Sequence, residues 1–142
     1  MKTKEELTAF IQKQKTAFLS SVDEEGFPNI KAMFTPRKID GSCLYFSTNT
    51  SSMRTQQFMQ NPKACFYVYH RGRFKYEGLM LTGTVEVLQD EEIKKEIWCT
   101  GDSIYYKQGV SDPDYCVLKF TAVKGRRYRN LKSESFQIAD LA

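Results

Sequence analysis

The feature that most limits what this chain can fold into is the shortness of everything periodic in it. The runs "TAFLSSVD", "NIKAMFT", "CLYFST", "ACFYVYH", "YEGLMLTGTVEVL" and "DYCVLKFTAV" are rich in aromatic and β-branched residues, the composition that fits a pleated, half-buried surface. Helical spacing is confined to residues 4 to 14, 51 to 60 and the segment "DEEIKKEIW". Parallel strands need crossovers of a dozen residues or more, and the chain has too few segments of that length to build a stack of βαβ units. The pattern predicts a mostly β protein: a small Greek-key-like barrel of six or so antiparallel strands with short helices.

The punctuation agrees. Thr3 and Glu6 form a capping-box pattern ahead of Leu7, Phe10 and Ile11, which predicts a leading amphipathic helix. "EEGFP" and "KIDGS" read as turns, "RGRF" as a hairpin connection, and Gly83 as the site of a bulge. Asn61-Pro62 stops the second helix, because the residue before proline is pushed away from helical dihedrals. A final hairpin is predicted about Lys124-Gly125, between "DYCVLKFTAV" and "RRYRNLK".

The whole of residues 1 to 142 is expected to form a single domain, since 41% hydrophobic content suits one real core. With 21 Lys and Arg against 17 Asp and Glu, the net charge of +4 is a mild bias toward anionic partners. The four cysteines show no CxxC spacing, so neither disulfides nor a metal site is expected. The polar start "MKTKEELTAF" has no signal-peptide core, and no apolar run is long enough for a bilayer; a cytoplasmic protein without membrane contact is expected.

One stretch carries more chemistry than the rest. In "STNTSSMRTQQFMQNP" a hydroxyl-rich segment enters a helix. A helix start exposes unpaired N–H groups and the positive end of the macrodipole, so Thr48, Asn49, Thr50, Ser51 and Ser52 are placed to surround an anion, with Arg54 holding phosphate oxygens bidentately. A plainer reading also fits: Ser51 caps the helix and Arg54 is solvated.

Several other residues have two readings. His70, the single histidine, is either an ordinary strand end or an acid or haem ligand. Asp112 and Asp114 flank Pro113 and read as turn chemistry rather than a carboxylate pair. Trp98, Tyr105 and Tyr106 either stack on a ligand or pack in the core. Arg71, Arg73, Lys75, Arg126, Arg127 and Arg129 interleave with aromatics as in single-strand-binding barrels, but outward charges on an edge strand account for them equally. Nucleic acid is not an expected partner.

The order of motifs resembles the pyridoxamine 5'-phosphate oxidase-like family of FMN-binding split β-barrels, in particular its short general-stress-protein members. The likeness rests on "GFPNIKAMF", "LYFSTNTSSMRTQQFMQNP", "GTVEVLQDEE" and "GVSDPDYCVLKF", in that order and over most of the chain. It implies a homodimer holding FMN in grooves between two split barrels. Carried over residue by residue, it implies Lys31 and Arg54 as basic phosphate contacts, with Ser52 and Thr48 as hydroxyl donors. Ala32, Met33 and Phe34 match the strand along the isoalloxazine edge, and Phe46 and Ser47 sit just before the phosphate site. Met53 stands where the vitamin oxidases carry a second basic residue, and Trp98 is a candidate ring contact. The Arg-x-His pair of those oxidases has no counterpart in "GRRYRNLK", so pyridoxamine-phosphate oxidation is not expected. Gly78 falls where they present a glutamine, leaving Glu77 or backbone for that contact.

Two functions follow from the resemblance. One is an FMN-dependent oxidoreductase passing electrons from NAD(P)H to a small acceptor. The other is a non-catalytic split barrel that holds flavin or haem in stress response or sensing. No side chain stands out as a catalytic acid or base.

Overall fold

The structure, a computed structural model, describes residues 1–142. Helix α1 (Lys4–Gln12) starts where Thr3 Oγ1 accepts the Glu6 N–H at 3.1 Å, and it buries Leu7 and Ile11. Eight strands follow: β1 (Thr16–Val22), β2 (Pro28–Phe34), β3 (Lys38–Asp40), β4 (Cys43–Asn49), β5 (Lys63–Arg71), β6 (Tyr76–Leu88), β7 (Tyr115–Arg129) and β8 (Lys132–Gln137). Helix α2 (Met53–Gln60) joins β4 to β5, and helix α3 (Glu91–Ile97) leads from β6 into irregular chain with a 3-10 turn at Thr100–Ile104. All pairings are antiparallel, in the order β2-β1-β5-β6-β7-β4-β3, with β8 beside β7. This is the mostly β, Greek-key-like barrel expected, with more strands than six.

The core lies inside the curved sheet. Phe66 packs between Phe46 and Phe120 at ring-centroid distances of 5.9 and 6.1 Å, and Leu19, Leu44, Val68, Leu79, Leu81 and Leu118 close around them. Strand β1 alternates buried and partly exposed residues as a strand with one face on a core must. Strand β2 differs. None of its residues is fully buried, and it is paired only with β1, so the barrel stays open along it. A second, smaller cluster of Tyr45, Ile97, Tyr106, Tyr115 and Val117 packs α3 against the outside of β4 and β7.

Two features depart from the sequence reading. The segment "KIDGS" contains strand β3, with its turn made by Gly41 at φ +59. Lys124-Gly125 is not a turn but lies inside the unbroken β7, and the last hairpin turns at Asn130 and Leu131, both at positive φ. Gly125 is required by packing: a Cβ there would run into the Phe136 ring and sit 3.0 Å from Leu81. The expected bulge is present, with the β6–β7 register shifting between Thr82 and Gly83, where any Cβ would collide with the Thr121 carbonyl. No helix is long and apolar enough to cross a membrane.

Candidate functional site

The opening between β2 and β4 is a cleft of about 570 Å³. Alternation and register decide what faces it. Lys31 and Met33 sit opposite the buried Leu19 and Ala17 and share their inward face, while Ala32 and Phe34 turn the other way. Phe46 and Thr48, two residues apart on β4, form the second wall together with Ser47. Arg54, from the first turn of α2, reaches in at one end; Arg37, Asp102, Tyr105 and Tyr106 lie at the other. Of the residues singled out by sequence, Lys31, Ala32, Met33, Phe34, Phe46, Ser47, Thr48 and Arg54 all line this cleft. Ser52 and Met53 line an adjoining pocket of about 220 Å³ that shares Lys31 and Arg54. Trp98 lines neither; its ring packs edge-on against Tyr115 at 5.1 Å and beside Tyr106 at 6.1 Å.

The Arg54 end is electrostatically unfinished. Its Nη2 donates to Thr48 Oγ1 at 3.0 Å, but Nε and Nη1 are buried with no hydrogen-bond partner. Each buried donor left without a partner costs about 1–3 kcal/mol. Burial pushes the guanidinium below its usual pKa, because no carboxylate lies close enough to compensate. A planar fork with two free N–H groups, a lysine on the facing strand and a hydroxyl between them suit a tetrahedral anion such as a phosphate monoester. The residues present therefore fit the phosphate end of FMN.

The helix start itself does not do what the sequence pattern implied. The Asp114 carboxylate docks on it, accepting from the Ser51 N–H at 2.8 Å and the Asn49 Nδ2 at 3.0 Å, while Thr50 N–H donates to the Asp114 carbonyl at 2.7 Å. Ser52 Oγ caps the Thr55 N–H at 3.2 Å, and the Thr50 hydroxyl donates to the Pro113 carbonyl at 3.0 Å. The positive end of a helix attracts a carboxylate, and here the protein supplies its own. Bonds from Asn49 and Ser51 hold the Asp114 carboxyl below its ordinary pKa. Asp112 keeps to turn chemistry, accepting from the Asp114 N–H at 2.9 Å and the Gln108 N–H at 3.2 Å. The backbone N–H groups of Thr50 and Ser51 are thus taken up within the protein, while Arg54, Lys31 and Thr48 stay on the cleft.

The other end holds a pair that sequence reasoning missed. Arg37 and Asp102 form a bidentate ion pair, with Nη2 to Oδ1 at 2.7 Å; Nη1 also donates to the Ile97 carbonyl at 3.2 Å, and Asp102 accepts from the Cys99 N–H at 3.0 Å. Hydrogen bonding to Asp102 raises the Arg37 pKa, and the same bond lowers that of Asp102. Burial pushes the neighbouring Tyr106 hydroxyl up to about 12, so it is neutral at any ordinary pH. Sixty-five positions separate Arg37 from Asp102, and nothing local marks either one.

Elsewhere, Glu77 is engaged with Arg127 (Nε to Oε1, 2.8 Å), and Gly78 lies under the Tyr67 and Tyr76 hydroxyls; neither lines the cleft. His70 is an exposed strand-end residue outside it. No group of three or more His, Cys, Asp or Glu side chains is gathered to hold a metal.

The family model described as pyridoxamine 5'-phosphate oxidase matches residues 3–129. The chain belongs to that family. It is similar to a protein of Clostridium acetobutylicum related to general stress protein 26 of B. subtilis, of the pyridoxinephosphate oxidase family: 39% identity over 96% of this chain and 95% of that one, with a TM-score of 0.81. General stress protein 26 from Bacillus anthracis shares the fold at 21% identity, with a TM-score of 0.72 over 94% of this chain and 97% of the other. A heme binding protein from Mycobacterium smegmatis does so at 13% identity and a TM-score of 0.74, over 96% of this chain but 58% of that one. No curated protein matches the sequence.

Proposed function

We propose that the cleft binds FMN, with its phosphate on Arg54, Lys31 and Thr48, and that the protein is a homodimeric flavin oxidoreductase passing electrons from NAD(P)H to a small acceptor. The observation that carries the reading is Arg54: a residue lining the cleft with two buried N–H groups that have no partner. Members of the family commonly bind FMN. When bound, FMN supplies hydride and electron transfer. The chain's part is to hold and orient it. Arg54 and Lys31 neutralise the phosphate, Thr48 fixes the guanidinium, and Met33 and Phe46 supply apolar lining. Strand β2 has a strand partner on one side only, so alternate N–H and C=O groups on its other side are free for the polar edge of a heterocycle.

The dimer reading rests on the opposite face of β2. Ile30 and Phe34 are 70% and 83% exposed, and beside them Phe18, Tyr67, Tyr69, Tyr76 and Tyr128 form a run of rings 6.2–6.5 Å apart on the outside of β1, β5, β6 and β7. Contiguous apolar surface of this kind marks an interface. Because Phe34 belongs both to this face and to the cleft, a second copy seated here also borders the cleft.

A reading without turnover has one observation in its favour: the only carboxylate lining the cleft, Asp102, is locked to Arg37, so its walls present no free carboxylate. One experiment decides. The pigment released from purified protein is expected to be FMN, and anaerobic NADH or NADPH is expected to bleach it. Released haem would overturn the cofactor, and FMN that neither donor bleaches would leave the carrier.

A further inference from the structure

The segment after α3 is built like a fixed strap. Asp102 is 5% exposed and clamped by Arg37 and the Cys99 N–H. Four residues on, Tyr106 is buried, with its ring 5.0 Å from that of Tyr115 at 72° and its N–H bonded to the Asp102 carbonyl at 3.0 Å. Between these two anchors, Ile104 and Tyr105 stand 79% and 74% exposed. A segment with so few degrees of freedom left does not display two large apolar side chains through looseness. Tyr105 lines the mouth of the cleft. Charge is spent at this end: Asp102 neutralises Arg37, leaving Lys15 as the one unpaired cation, whereas Lys31 and Arg54 stand at the other end.

We propose that the strap presents Tyr105 as the stacking wall for a second ligand, a flat and uncharged aromatic molecule of the quinone type, held at the mouth of the cleft outside the cofactor. This rests on the reading of the cleft as an FMN site. An aromatic tip fixed by its neighbours loses little entropy on binding, and stacking favours flat rings over compact ions.

The test is equilibrium binding of menadione to the oxidised, FMN-loaded protein, followed by the flavin spectrum, in wild type, Tyr105→Ala and Tyr105→Phe. Tyr105 is exposed, so both variants are expected to keep the wild-type Tm. The expected result is a menadione Kd raised about tenfold in Tyr105→Ala and within about twofold of wild type in Tyr105→Phe, with FMN affinity unchanged in both. Menadione bound equally by wild type and Tyr105→Ala overturns the proposal. So does an equal loss of FMN and menadione affinity, which would make Tyr105 a cofactor contact. If the protein takes up no FMN, the cofactor reading fails instead, and the same titration on the unloaded protein, followed by Trp98 fluorescence, still tests the wall: loss in Tyr105→Ala supports it, and no difference overturns it.

Discussion

Two arginines border the same cleft and could hardly be treated more differently. At one end Arg37 has Asp102, the Ile97 carbonyl and a raised pKa; at the other Arg54 has a single hydroxyl, two buried N–H groups without partners and a depressed one. A guanidinium whose donors are all used is scaffold, since nothing remains with which to recognise a ligand. One that is buried and short of partners destabilises the fold by itself, and an anion that supplies the missing acceptors offsets that penalty. The contrast separates the part of the site that shapes from the part that binds.

The largest effect expected from the contrast is on ligand affinity. Replacing Arg54 with Ala removes two charge-assisted bonds of about 1.5–3 kcal/mol each, so FMN binding should weaken by at least about a hundredfold. Thermal unfolding of the same variant without ligand should be unchanged or slightly higher, because a desolvated cation is gone. A clear loss of stability would make Arg54 scaffold after all.

Arg37 should behave the other way round. Asp102→Asn strands a partly buried cation; complete burial would cost about 3–5 kcal/mol, and with the Arg37 side chain 26% exposed a loss of about 2 kcal/mol is expected in urea denaturation. The double variant Arg37→Met/Asp102→Leu should recover part of it. Two fully additive losses would show that the pair is not coupled.

The pH dependence sharpens the same point. The Asp102 carboxyl is depressed below its ordinary value of 3.8 by its bond to Arg37. Its contribution is complete above the unfolded-state pKa and is lost as pH falls through the lower folded value, so the loss belongs below about pH 4. Asp102→Asn should therefore flatten the acid limb of the stability curve, whereas Arg54→Ala should leave it as it is. An acid limb identical in wild type and Asp102→Asn would remove Asp102 from this role. The smallest effect is that of inorganic phosphate, which at ten times its Kd should stabilise wild type by about 1.4 kcal/mol and Arg54→Ala not at all.

Local chemistry was legible from sequence wherever a residue's neighbours in the chain are also its neighbours in space. Thr3 caps α1, Asn61-Pro62 ends α2, and Gly83 marks the bulge, whereas the cap of α2 is Ser52, one residue beyond the expected Ser51. Arg54 and Thr48, six positions apart in one motif, are also neighbours in space. Long-range partners were not legible. Asp114 read as a turn residue because its bonds to Asn49 and Ser51 span more than sixty positions, and Arg37 carried no sign of Asp102. Gly125 misled for a related reason. Glycine next to lysine looks like a turn, but its bare α-carbon makes room for Phe136 of the neighbouring strand, and the true turn uses Asn130 and Leu131 without any glycine.

Riboflavin and FMN differ only in the phosphate, so their affinity ratio isolates what the Arg54 corner recognises. Titrated against wild type and Arg54→Ala, FMN should bind wild type at least about a hundredfold tighter than riboflavin, and the variant should lose most of that preference and keep only the part that Lys31 supplies. Equal affinity for the two flavins in wild type, or a preference undiminished by the loss of Arg54, would contradict the account.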